Sequence, residues 1–137
     1  MRYLLDTNTC IKYLNGRSER IRQHVETTSA AELLVCSVVK AELYYGAQKS
    51  QHPDQNLEKQ QKFLNRFVSL PFDDQAAATY GRIRACLEQA GTPIGPNDLM
   101  IAAIAVAANV TLVSHNTREF SRIKELRLED WEEGSIV

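Results

Sequence analysis

The sequence has little of what marks several large protein classes. Its three cysteines, Cys10, Cys36 and Cys86, are an odd number, widely spaced and without a CxxC pair. That argues against a disulfide framework or a zinc knuckle and fits buried structural thiols in a reducing compartment. Histidine occurs only at positions 24, 52 and 115, and none belongs to an HxxxH pair, so histidine is a poor candidate for metal ligand or general base. The longest apolar run, Leu99 to Ala108, is too short to span a bilayer. Met1-Arg2 passes straight into Tyr3-Leu4-Leu5-Asp6 with no signal-peptide pattern. A cytoplasmic protein without membrane contact is expected. Neither sign of charge dominates: 16 Lys and Arg face 17 Asp and Glu, for a formal net charge of −1. A nucleic-acid binder usually shows a basic excess, so any such contact must come from a local basic face or from cations held in an acidic pocket.

What is present fits one compact domain over residues 1–137. The length suits a single hydrophobic core, and the hydrophobic (44%) and charged (24%) fractions are those of an ordinary globular protein, which excludes disorder as the main state. There is no internal repeat, low-complexity tract or linker. Tyr3-Leu4-Leu5 reads as a first strand ended by the polar turn Asp6-Thr7-Asn8, and a helix carrying Ile11 and Leu14 follows, stopped near Asn15-Gly16. Ile21 and Val25 suit a second helix. Leu33-Leu34-Val35-Cys36 is a continuous apolar run, the pattern of a strand covered on both faces. Ser37 reads as an N-cap for a helix through Glu42 to Gly46. Gln48 to Gln61 is polar and gives no clear assignment, and Phe63, Leu64 and Phe67 resume a helical face. Val68 to Phe72 reads as a short strand, and Asp73 opens a long helix with Ala76, Ala77, Tyr80, Ile83, Leu87 and Ala90 inward. A loop over 91–96 precedes a helix that is apolar all round, Leu99 to Ala108, and is therefore buried. Thr111 to Ser114 is another buried strand, and Leu126 to Leu128 an edge strand. Strands alternating with helices predict an α/β fold with a mainly parallel sheet, whose sites form beyond the carboxyl ends of the strands.

Three acids stand at such positions. Asp6 ends the first strand, Glu42 lies on the helix just beyond the second, and Asp98 falls in the first turn of the helix opened by Pro96, where the helix terminus favours its charged form. Taken alone, Asp6 reads about equally well as a turn former and Asp98 as a helix cap, and Glu42 reads better as a surface ion pair. Their coincidence at one sheet edge points instead to a cluster of hard oxygen ligands of the kind that Mg²⁺ or Mn²⁺ requires, with metal-activated water preferred over a histidine base. A fourth acid, Glu119, follows the strand ending at Ser114, with a solvated helix acid as the plain alternative. Asn8 is placed to share the Asp6 turn. His115 reads as an exposed loop residue.

Together these residues resemble a known family. Leu5-Asp6-Thr7-Asn8, Lys40 to Ala47, Gly95 to Ala103 and Leu112 to Phe120 are similar to the four motifs of PIN-domain nucleases, in order and across nearly the whole chain. More narrowly, the chain resembles the VapC toxins of bacterial type II toxin–antitoxin systems, as does its closing Leu128-Glu129-Asp130-Trp131. The resemblance implies a PIN-like three-layer fold, a Mg²⁺- or Mn²⁺-dependent endoribonuclease, a homodimer, and neutralisation by a VapB-type antitoxin, with DNA contacted only through that antitoxin. It implies Asp6, Glu42 and Asp98 as metal-binding acids. Asn116 stands where many members carry Asp, and Glu119 is implied as the compensating acid, with Asn8, Ser114 and Asn116 as uncharged support. The loop Gly91 to Pro96 resembles that of relatives acting on initiator tRNA, which implies tRNA cleavage in the anticodon stem-loop. Shape and a few placed contacts must then supply selectivity, and Lys12, Lys40, Arg82, Arg84 and Arg118 are the candidate contacts.

Two other classes compete. Leu4-Leu5-Asp6-Thr7-Asn8 is similar to the nucleophile motif of haloacid-dehalogenase-like phosphatases, but that chemistry wants a second Asp where Asn8 stands and leaves Glu42 without a role. A non-catalytic PIN-like binding module would be expected to have lost a principal acid, and all three are present.

Overall fold

The computed structural model of the chain describes residues 1–132. Five strands form one sheet: β1 (Tyr3–Leu5), β2 (Leu33–Cys36), β3 (Val68–Leu70), β4 (Thr111–Val113) and β5 (Leu128–Glu129). Their spatial order is β3-β2-β1-β4-β5, and every neighbouring pair is parallel. Seven helices connect them: α1 (Thr7–Asn15), α2 (Glu19–Thr27), α3 (Ser37–Gln48), α4 (Pro53–Leu64), α5 (Asp74–Gln89), α6 (Pro96–Ala108) and α7 (Thr117–Phe120).

The order of connection decides where a site can form. The chain steps outward from β1 to β2 to β3, then crosses back to β4 on the other side of β1. Right-handed crossovers in opposite directions place their helices on opposite faces of the sheet. They also leave a crevice between β1 and β4 at the carboxyl edge, where the direction switches. Asp6 and Ser114 are the first residues beyond those two strands, and the Asp6 N–H donates to Val113 O at 3.1 Å.

The core holds this edge firmly. Leu4, Leu5, all of β2, Leu112 and Val113 are buried, as are Ile101 to Ala105 along α6, each large aliphatic side chain contributing about 1.5–3 kcal/mol on burial. Asn109 adopts the left-handed conformation (φ 57°) after α6, and Gly16 (φ 66°) does so after α1, each ending its helix as the chain turns away. Trp131 is 3% exposed and stacks on His24 at 4.6 Å between ring centres, with Tyr3 5.3 Å away.

Several sequence expectations shift in detail. Cys36, not Ser37, occupies the N-cap of α3, and no side chain caps that helix; β2 bends into helix one residue early, and Ser37 is exposed. The polar stretch after Gln48 becomes α4, opened by Pro53. The third strand ends at Leu70, before Pro71, because proline cannot donate to a ladder. Ala77 and Ala90 face solvent on α5, whose buried residues are Ala76, Ile83 and Leu87. The last strand begins two residues later than expected, at Leu128. Cys10 and Cys36 are buried free thiols as expected, but Cys86 is exposed, since it lies beside the Ile83–Leu87 stripe rather than on it. No helix among the described residues is long and apolar enough to cross a membrane.

Candidate active site

Asp6 is the centre of the switch-point crevice. It caps α1, with Thr9 N–H donating to its Oδ1 at 2.9 Å, and it is only 5% exposed. Burial pushes its carboxyl upward from the ordinary 3.8, opposed by hydrogen bonds from Ser114 and Thr9 and reinforced by the charge of Glu42. Asp6, Thr9 and Ser114 are three of the four buried polar or charged residues described. A buried carboxylate without full compensation is expensive, and its retention at a crevice is a functional signal.

Glu42 enters from the second turn of α3. Both of its oxygens are held from neighbouring segments: the Thr7 hydroxyl donates to Oε1, and Asn97 Nδ2 donates to Oε2 at 3.1 Å. Asn97 sits beside Asp98 at the start of α6, where Gly95 is the N-cap and Pro96 fills the first turn.

Asp98 records the assembly of the site. Its carboxyl is pushed up to about 6, first by burial, then by the charges of Asp6, Glu42 and Glu119, with a hydrogen bond from Asn116 working the other way. Residues 92 positions apart in sequence are thus electrostatic neighbours, and four acids from four separate segments share one field. Glu119 lies in the first turn of α7, partly buried. Asn116 precedes it, with its own N–H on Ser114 Oγ at 3.0 Å.

The predicted residues therefore fall unevenly. Asp6, Glu42 and Glu119 all bear electrostatically on Asp98, and Ser114 and Asn116 hydrogen-bond Asp6 and Asp98. Asn8 is exposed and makes no side-chain hydrogen bond among the described residues; the Thr9 N–H donates to Asp6 and the Thr7 hydroxyl to Glu42. Thr7 and Asn97 had no role assigned from sequence. Each adjoins a predicted acid, which was the available signal, but their target lies 35 and 55 residues away.

His115 is 50% exposed at its side chain yet not isolated. Its Nδ1 lies 2.9 Å from Asp130 Oδ2 and 3.6 Å from Glu132 Oε2, and Lys12 Nζ sits 2.6 Å from Glu132 Oε1. The hydrogen bond to Asp130 raises the imidazole pKa. Among the described residues this is the one set of three His, Cys, Asp or Glu side chains whose ligating atoms lie within 4.8 Å of one another. The four acids of the crevice do not gather three ligating atoms to that spacing and are coupled through their fields.

Of the basic candidates, Lys12 is committed to Glu132, Arg82 to Glu125 at 2.8 Å, and Arg84 to Glu88 at 2.9 Å. Lys40 and Arg118 form no ion pair among the described residues. A cavity of about 220 Å³ runs between α1, α3 and α4, lined by Ile11, Leu14, Leu43 and Ala47, with Glu42 on its wall. Gln60 also lines it, and Gln60 Oε1 is buried without a hydrogen-bond partner.

Comparison with known proteins fits this arrangement. The family model described as PIN domain matches residues 3–126. The chain is 41% identical to the tRNA(fMet)-specific endonuclease VapC of Salmonella typhimurium over 131 residues, covering 96% of this chain and 98% of that protein. It is 41% identical to ribonuclease VapC2 of Rickettsia felis over 133 residues, covering 96% and 99%. Among solved structures, a chain of the DNA-bound VapBC from Salmonella typhimurium superposes with a TM-score of 0.90 at 41% identity, covering 96% of this chain and 98% of that one.

Proposed function

The chain belongs to the PIN domain family, and from that premise we propose that it is a VapC-type toxin, an endoribonuclease neutralised by a VapB-type antitoxin. PIN-domain nucleases generally use a divalent metal. We take residues 1–137 as one such domain, a reading supported by the continuous core and by the span of the family match.

The observation that carries the site assignment is geometric: Glu42 is held between Thr7, which adjoins Asp6, and Asn97, which adjoins Asp98, and the charges of Asp6, Glu42 and Glu119 all bear on Asp98. The donor set fits a hard divalent ion: all-oxygen, multiply negative and partly desolvated. Asp6, Glu42 and Asp98 would hold Mg²⁺ or Mn²⁺, with Glu119 as the fourth acid. When bound, such an ion supplies Lewis acidity, lowering the pKa of water and offsetting charge on a scissile phosphate. The chain's own residues do the placing. Thr9 and Ser114 fix Asp6, Thr7 and Asn97 fix Glu42, and Asn116 holds Asp98. A carboxylate so oriented loses little further freedom when it engages its ligand, the basis of preorganised sites.

The substrate is RNA, specifically tRNA. A net charge of −1 does not favour tight binding to any long polyanion at physiological salt, so selectivity rests on shape and a few contacts, as in a folded loop. The name of the Salmonella relative supports initiator tRNA, and we place the cut in the anticodon stem-loop. The antitoxin would occupy the cavity between α1, α3 and α4, its apolar side chains against Ile11 and Leu14, a donor on Gln60 and a cation toward Glu42. The VapBC structures support that class of partner, and DNA is contacted through it. A homodimer is the expected assembly.

The test is cleavage of purified tRNA with and without Mg²⁺ or Mn²⁺, alongside mapping of RNA 5′ ends after induction in cells. A dominant break in one anticodon loop, lost in Asp6→Asn, is expected. Breaks scattered through mRNA with intact tRNA would refute the tRNA reading, and metal-independent cleavage the site.

A further inference from the structure

A second concave site shares no lining residue with the four acids. A cavity of about 320 Å³ opens between α5 and the segment after α7, lined by Arg82, Ile83, Leu87, Arg122, Ile123 and Lys124, together with Cys86, Thr92 and Glu125. Its floor is apolar: Ile83, Leu87 and Ile123 are each at most 5% exposed. Its rim holds three cations against one acid, Glu125, in a chain whose net charge is −1. That is a local charge reversal over apolar ground.

We propose that this groove is an RNA subsite that seats one nucleotide of the substrate, its base on the apolar floor and its phosphates on Arg82, Arg122 and Lys124. The assignment rests on the ribonuclease reading above. Its volume lies at the lower end of the range for small-ligand pockets, enough for one nucleotide and not for a folded element. Single strands are usually held by aromatic platforms under the bases and cations along the backbone; here aliphatic Ile83, Leu87 and Ile123 would take the base and Arg82, Arg122 and Lys124 the phosphates.

The cations are available. Arg82 meets Glu125 at 2.8 Å with both side chains largely in solvent (58% and 44%), and an exposed pair of that kind is worth little and exchanges readily. Arg122 spends one nitrogen, Nη1, on Pro93 O at 2.9 Å, which leaves most of its five donors. Lys124 is exposed and forms no ion pair among the described residues.

The groove is linked to the acids through the chain by Arg122. Arg122 N–H donates to Glu119 O at 3.1 Å, and the same residue's guanidinium grips Pro93, five residues before Asp98. One arginine thus ties the loop leading into Asp98 to the segment that follows Glu119. A nucleotide in the groove lies along the two segments that deliver those acids.

The experiment measures binding of a labelled RNA stem-loop in EDTA, across salt, for the wild type and for Arg82→Gln/Lys124→Gln. This double variant leaves the Arg122–Pro93 bond intact. Each single-strand phosphate contact contributes a salt slope of about 0.7, or about four-fold in affinity at 0.15 M relative to 1 M. Losing two contacts raises Kd about fourteen-fold and flattens the slope by about 1.4. The charge-keeping Arg82→Lys/Lys124→Arg restores binding, and Arg20→Gln/Lys62→Gln, an equal loss of charge on α2 and α4, leaves it near the wild type. Wild-type binding by Arg82→Gln/Lys124→Gln, or an equal loss in the α2/α4 control, overturns the proposal. So does a variant that binds RNA normally but no longer binds its antitoxin, which would make the groove a protein-docking surface. Cleavage by the wild type is scored separately: groove-dependent RNA binding without metal-dependent cleavage would overturn the ribonuclease reading, and with it the groove's role as a substrate subsite, while the groove would still bind RNA.

Discussion

Replacing Asp98 by Asn should stabilise the metal-free protein while removing its metal-dependent cleavage. The carboxyl of Asp98 is pushed from 3.8 up to about 6 by burial and by Asp6, Glu42 and Glu119. A rise from 3.8 to about 6 would be worth about 3 kcal/mol for a fully buried group, and the partial exposure of Asp98 screens this to about half of that. The sign follows from linkage. Between pH 3.8 and 6 the folded state binds more protons at this group than the unfolded state, so stability falls as pH rises through that window, and the full cost is present above it. Asn keeps the shape and removes the charge. It forfeits the favourable interaction of an anion with the first turn of α6, about 0.3–1 kcal/mol, and weakens the contact with Asn116. A net gain of about 0.5–1 kcal/mol remains, or roughly 2–4 °C in Tm for a domain of this size.

The assay is thermal and urea unfolding in EDTA at pH 4.5 and pH 7.5 for the wild type and Asp98→Asn. The wild type should lose stability between those values relative to the variant. Added Mn²⁺ should stabilise the wild type far more than the variant, because binding to the folded state alone shifts unfolding by mass action. If Asp98→Asn is less stable than the wild type at pH 7.5 in EDTA, or shows the same pH slope, the four acids do not share a field and the site assignment loses its basis.

Glu119→Gln should weaken metal dependence more than Asn116→Ala, because a carboxylate holds a hard cation better than an amide does. High Mn²⁺ should partly rescue it, and the reverse order would assign the fourth position to Asn116. Thr7→Val and Asn97→Ala release Glu42 from opposite sides. Each should cut cleavage at limiting metal while costing only about 1 kcal/mol in stability; unchanged metal dependence in both would show that Glu42 needs no orientation. His115→Ala should remove a stabilising contribution that is complete below the unfolded histidine pKa, about 6.5, and is lost as pH rises through the raised folded value. Unfolding curves at pH 6 and pH 8 should therefore differ less in the variant, and an unaltered difference would mean that the Asp130 contact does not hold in solution.

The acids were legible because their positions follow from chain topology. Apolar runs of three and four residues, one stopping just before Asp6 and one ending at Cys36, read as strands covered on both faces, and parallel strands bring all their carboxyl ends to one edge. Proline at the start of α6 fixed Asp98 in its first turn. The misses share a different cause. The helix α4 buries only Phe63 and Leu64 fully, both at its last turn, so ten preceding residues carry almost no periodic signal. The pairing of Lys12 with Glu132 and of Arg82 with Glu125 joins residues 120 and 43 positions apart, and no local pattern encodes which surface cation finds which acid. Thr7 and Asn97 stood in plain view beside predicted acids, yet their partner is a third acid that only the folded crevice brings near. Asn8 was favoured because it can share a turn, whereas the cap geometry selects the residue three beyond Asp6, which is Thr9.

The cost carried by Asp98 also bears on how activity would be switched. A cluster of four carboxylates at one sheet edge is relieved by any cation that enters it, whether a divalent ion or a guanidinium, whose planar fork matches carboxylates and stays charged when buried. The two would compete for the same oxygens, so an antitoxin that inserts arginine toward Glu42 would exclude metal as well as block RNA. Reciprocity then requires metal to weaken the antitoxin by the same factor. Antitoxin affinity measured at rising Mn²⁺ should fall, and should cease to depend on Mn²⁺ in Asp98→Asn. An affinity indifferent to Mn²⁺ in the wild type would mean that the antitoxin covers the crevice from outside and leaves the four acids alone.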